Sequence, residues 1–87
     1  MLASTAAQWM LDMLHRDGCV YQDDTVDMLT KASVEVLLRE NADGNIVLGN
    51  EVLSAFKKIS ASAVWIKPDR YWRWRVGEDE PGREQRG

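Results

Sequence analysis

Cysteine is nearly missing from this chain. Cys19 stands alone, so no internal disulfide framework can form, and a reducing compartment fits. Histidine is equally scarce. With one His and one Cys, the chain has no zinc-type spacing and few means to activate a nucleophile; it also lacks a glycine-rich phosphate loop and a dinucleotide fingerprint. Asp23-Asp24 and Asp43-Gly44-Asn45 are fragments of acidic patterns without the remaining ligand positions of a calcium loop. No apolar run approaches the roughly 20 residues of a membrane span, and Met1 to Thr5 shows no basic segment of the kind that opens a secretory signal. These absences lead us to expect a cytoplasmic, non-enzymatic chain with no cofactor, no metal and no membrane association.

Large apolar side chains, by contrast, are plentiful. Four Trp and four Met stand in 87 residues, a length that makes one domain and buries only about two-thirds of its unfolded surface. That excess over what a small core hides favours a homo-oligomer, most simply a dimer. Charge is unevenly spread. Residues 1–66 carry five Lys/Arg against nine acids, residues 67–77 four against one, and residues 78–87 two against four. The net charges are therefore -4, +3 and -2, so a basic footprint exists only locally.

That local patch coincides with the aromatic one. Residues 63–76 hold three of the four Trp and four of the eleven Lys/Arg, and Trp72, Trp74 and Val76 alternate with Tyr71, Arg73 and Arg75 as in a strand with one buried face. A two-residue loop at Pro68-Asp69 would set Val64 opposite Arg73 and Trp65 opposite Trp72, mixing apolar and charged side chains on both faces, so the pattern selects a three-residue Pro68-Asp69-Arg70 loop or a five-residue one. It pairs Ile66 with Trp72, Val64 with Trp74 and Trp65 with Arg73. Trp65, Tyr71, Arg73 and Arg75 then share an outer face.

Along the rest of the chain, Thr5 to Gln8 fits a capping box opening a first helix near Ala6, which Asp17-Gly18 ends. Cys19-Val20-Tyr21 is a short strand. Asp23 and Asp24 begin a second helix that ends near Lys31 to Ser33. Residues 34–40 fit a helical face through Val34, Leu37 and Leu38, and a strand through Val34, Val36 and Leu38; valine enrichment favours the strand, paired with Ile46-Val47-Leu48 across the Asn41 to Asn45 turn. Gly49-Asn50 opens a third helix, with Val52, Leu53, Phe56 and Ile59 at helical spacing to about Ser60. The order predicts an α+β, winged-helix-like domain over residues 1–78, made of three helices, a small antiparallel sheet and a C-terminal β-hairpin. Residues 79–87 have no apolar residue to bury and are expected to be a disordered tail.

Several of these stretches, Ala7-Gln8-Trp9-Met10-Leu11, Tyr21-Gln22-Asp23-Asp24, residues 41–45, residues 52–58 and Val64-Trp65 with Tyr71-Trp72-Arg73, resemble a small uncharacterised bacterial family of winged-helix-like proteins, some encoded on integron gene cassettes. The resemblance spans about residues 6–76. It implies the fold and a mobile-gene setting, and assigns neither activity nor functional residues.

Three functional readings follow. The first is a self-associating interaction module using Trp65, Tyr71, Arg73 and Arg75, residue types enriched at hot spots; against it stands plain cross-strand packing, in which an Arg lies over Trp65. The second is a nucleic-acid-binding winged helix whose third helix and wing tip supply Lys57, Lys58, Lys67 and Arg70; against it, those charges serve only solubility. The third is a small-ligand cleft lined by Trp and Met.

Overall fold

The third helix lies against the first, and the C-terminal hairpin packs beneath them. The structure is a computed structural model, and residues 1–85 are described here. Helix α1 spans Ala3–Asp17, with Ala6, Ala7, Met10 and Leu14 as its buried stripe and Trp9, Leu11 and Met13 half-buried beside it. It starts earlier than the capping box predicted. The carbonyl of Leu2 accepts from the N–H groups of Thr5 and Ala6 at 3.0 and 3.1 Å, and Gln8 donates forward to Asp12 at 2.9 Å instead of back to a cap. Gly18, at φ 78°, closes the helix by donating to Leu14 O.

Strand β1 (Cys19–Tyr21) leads into α2 (Gln22–Lys31), where Asp23 and Asp24 occupy the first turn. The strand expected over 34–40 is only half realised. Glu35–Leu37 is a 3-10 turn, and β2 begins at Leu38 and ends at Glu40. The reason is local closure: Val34 N–H returns to Leu29 O and Leu37 O accepts from Gly49 N–H, so the chain tucks Leu37 into the core before it can extend. β2 pairs with β3 (Ile46–Leu48) as expected, and Asn41 Oδ1 organises the turn by accepting from the N–H groups of Asp43 and Asn45, both at 2.9 Å.

Helix α3 (Asn50–Ile59) buries Val52 and Phe56, and is followed by β4 (Ala63–Ile66) and β5 (Tyr71–Trp74). The hairpin has the other register. Val64 faces Arg73, Trp65 faces Trp72 and Ile66 faces Tyr71 across a four-residue Lys67–Arg70 turn. Trp65, Trp72 and Trp74 therefore share the face toward the helices, where Phe56 meets Trp72 edge-on at 5.3 Å. Trp65 does not share an outer face with Tyr71, Arg73 and Arg75. The odd loop followed from assuming one buried face, whereas β4 is buried on both: Val64 and Ile66, on the far side, are as inaccessible as Ala63.

What covers the far side is the segment expected to be disordered. β6 (Glu84–Gln85) lies parallel to β4, on the edge opposite β5, giving the order β1-β5-β4-β6. To get there the chain crosses β4, and the Arg73–Asp79 ion pair, with contacts of 2.7 and 2.9 Å, puts the crossing on the face that Arg73 shares with Val64. Of the expected tail 79–87, Asp79, Arg83 and Gln85 are bonded to the body of the domain, Glu80, Pro81, Gly82 and Glu84 stay exposed, and 86–87 lie outside the described residues. The result is α+β, with three helices, small sheets and a C-terminal hairpin, and the β1-β5-β4 core order puts β1 beside the second strand of that hairpin, as in a winged helix.

Two consequences can be measured. A Cβ at Gly49 would sit 2.7 Å from Leu37 O, the carbonyl that its own N–H binds, so Gly49→Ala should cost about 1–3 kcal/mol in chemical denaturation. The Asp79 carboxyl, held by Arg73 and by the Val76 N–H, is lowered from 3.8 to about 2. Its contribution is therefore present above pH 3.8 and is lost as pH falls through about 2. The melting temperature of wild type should fall more steeply over that window than that of Asp79→Asn; equal slopes would contradict the pairing.

Candidate functional site

Of the four residues expected to form an interaction surface, three are engaged by the chain itself. Arg73 donates to Asp79 and to Trp74 O, and Arg75 donates to the carbonyls of Glu80, at 2.9 Å, and Gly82. Tyr71 stacks on its cross-strand neighbour Tyr21 at 5.0 Å. Trp65 lies on the opposite face, half-buried against Trp72 at 4.4 Å.

Trp65 opens instead onto a cleft of about 610 Å³ between the two hairpins. Arg39 and Asn41 come from the β2–β3 side, Lys67, Pro68 and Arg70 from the β4–β5 turn, and Val47, Leu48 and Leu53 add apolar surface. No acid lines it. Arg39, Lys67 and Arg70 are exposed, and among the described residues none of them is in an ion pair; the pairs present are Arg16–Asp17, Lys31–Asp27 and Arg73–Asp79. Three like charges among the lining residues make a field inside the cleft that favours an anion. A second cavity, of about 640 Å³ on the far side, is different in kind, because Glu78, Asp79, Glu80 and Glu84 surround Lys67 and Arg73 there.

One side chain ties the walls of the cleft together. Gln22, the first residue of α2, donates its N–H to Arg70 O at 3.0 Å and accepts from Leu48 N–H on its side-chain oxygen at 3.4 Å. It is thus joined at once to the β4–β5 turn and to β3. The turn carries a further mark: Arg70 has φ 53°, a left-handed conformation that disfavours any residue with a Cβ. Backbone strain of this kind is concentrated at functional sites.

The expected nucleic-acid residues are therefore divided. Lys67 and Arg70 line the cleft, whereas Lys57 and Lys58 stand exposed on the last turn of α3 and do not line it. Lys57 lies one helical turn beyond Leu53 on the same face. Arg39 was missed by sequence reasoning, since nothing in its neighbours indicates that the β2–β3 hairpin bends toward the wing. Its only signal was alternation, which sets Arg39 opposite Val47 on a common face. Among the described residues, no group of three or more His, Cys, Asp or Glu is placed to hold a metal ion, and no helix is long and apolar enough to cross a membrane.

An α+β domain with winged-helix element order and a basic, acid-free cleft beside its wing is the class these observations define. The chain belongs to a family of unknown function, DUF6953, whose model matches residues 2–74. No curated protein and no solved structure matches it.

The role of Gln22 can be checked directly. Gln22→Ala leaves the buried Leu48 N–H without its acceptor and should cost about 1–3 kcal/mol, while Gln22→Glu keeps an acceptor and should cost less. Denaturant titration of the two variants reads the difference, and equal losses would mean that the side chain acts by packing alone.

Proposed function

We propose that this chain is a non-catalytic binding module of winged-helix type, and that its cleft takes the phosphate backbone of a nucleic acid. The observation that carries the reading is that Arg39, Lys67 and Arg70, none of them in an ion pair among the described residues, line one cleft with Trp65 and with no acid among its described lining residues. Phosphate contacts need cations that are not already neutralised. An aromatic face beside them offers a base something to stack on. Lys57 and Lys58 extend the basic surface along α3, so a duplex would lie across the helix and the wing. The mobile gene-cassette origin implied by the resemblance, and a cytoplasmic setting, belong to the same proposal.

A second reading, self-association, is favoured by a separate observation. Val36 is 87% exposed and Ile46 53% exposed, both on or beside the small β2–β3 sheet, which has no third strand among the described residues. A second copy covering this surface would bury both residues.

Fluorescence anisotropy with labelled duplex and single-stranded oligonucleotides at several salt concentrations tests the first reading. Affinity should fall steeply with salt, and Lys67→Ala or Arg39→Ala should each flatten the log–log slope by about 0.7–0.9 for every phosphate left without its cation. Arg70→Gly separates binding from folding. It removes a charge and also relieves the left-handed backbone, worth about 1–2 kcal/mol, so it should weaken binding without lowering stability. No binding of either nucleic acid at high micromolar protein and low salt would end the proposal, and light scattering on the same samples reports on self-association.

A further inference from the structure

We infer that the outer edge of β4 is a strand-docking site, and that the occupant it fits is the C-terminal segment of a second copy of this chain. The site is on the edge opposite β5, and its backbone donors belong to Trp65 and Lys67, which also line the cleft. It is filled in cis by residues 83–85, which display its recognition chemistry. Trp65 N–H donates to Arg83 O at 2.6 Å and Lys67 N–H to Gln85 O at 3.1 Å. An edge strand offers such unpaired groups to any extended chain.

Specificity comes from Arg83. One guanidinium nitrogen donates to the carbonyls of Ser60 and Ala63, at 2.9 and 3.2 Å, and another to the Ser60 hydroxyl at 2.9 Å, with the guanidinium carbon 5.7 Å from the centre of the Phe56 ring. Ser60 caps the C-terminal end of α3. The pocket thus consists of a helix-terminal carbonyl, where partial negative charge collects, and an aromatic ring, with no carboxylate bonded to Arg83 among the described residues. It is built for a planar cation.

The segment is also transferable as a unit. Gln85, buried beside β4, accepts from Glu80 N–H at 3.1 Å and donates to Glu80 O at 2.8 Å, which folds residues 80–85 into a closed bracket with its own internal bonds. Its link to β5 runs through Val76, Gly77 and Glu78, which are all exposed. Opening that link would let the bracket of one copy meet Ser60, Trp65, Lys67, Arg73 and Arg75 of another and remake each contact, which is how strand exchange generates a dimer without a new interface. A short tether holds the cis bracket at an effective concentration on the order of millimolar. Exchange therefore competes only in concentrated protein or when the cis bracket is weakened.

Weakening it is the test. The full chain carrying Arg83→Ala keeps the whole acceptor pocket but loses the anchor of its own strand. A fluorescent peptide of the sequence Asp79 to Gln85 should bind this variant at least tenfold more tightly than it binds wild type, and the same peptide with Ala in place of Arg83 should bind neither. If the variant does not fold, wild type decides. Addition of the peptide to about 1 mM should shift the amide resonances of Trp65 and Lys67, and light scattering should show a dimer that grows with concentration toward about 1 mM. Equal binding of the two peptides by a folded variant, unmoved Trp65 and Lys67 resonances in wild type, or a strict monomer at 1 mM would overturn the exchange.

Discussion

Burial of β4 on both faces is the constraint from which most of this structure follows. A strand with one dry face can leave its other side to polar residues, but Val64 and Ile66 are as fully enclosed as Ala63. Something must therefore cover the far side of the sheet, and the segment that follows β5 crosses it there. The crossing of residues 75–85 also settles the hairpin register. It converts Arg73 from an outward-facing residue into the partner of Asp79, and it turns the three tryptophans of the hairpin toward the helices.

The same crossing separates the charges. Glu78, Asp79, Glu80 and Glu84 are carried to the far side, around Arg73 and Lys67. The near side, between the hairpins, keeps Arg39 and Arg70 with no acid among its lining residues. A chain of formal net charge -3 can thus present a local cationic surface, because opposite charges are held on opposite faces of a thin sheet. Lys67, at the turn between the faces, lines both cavities.

Gln22 gives the cleft its shape in the way Arg73 gives the far side its cover. One residue at the start of α2 bonds to the turn through its backbone and to β3 through its side chain, so the spacing of the two hairpins depends on a helix that belongs to neither. Binding surfaces assembled from loops need such a rigid support, since loops alone do not hold a geometry.

The sequence by itself determined the three helices, the short strand at Cys19–Tyr21, the Asn41 to Asn45 turn and the existence of two hairpins. Each of these rests on periodicity, on turn chemistry or on glycine placement, which act over a few residues. It also singled out Lys67 and Arg70 as wing-tip cations. Tertiary structure alone decided the register of β4 on β5, because alternation selects a face only when one face is dry, and Arg73 carries no sign of an acid six residues later waiting to enclose it. It alone decided that Glu35–Leu37 turns before β2 begins, since the closing bond comes from Gly49. It alone brought Arg39 to Lys67 and Arg70, across 28 and 31 residues of chain, and it ordered a polar C-terminal segment whose few bonding groups find partners only on a sheet already formed.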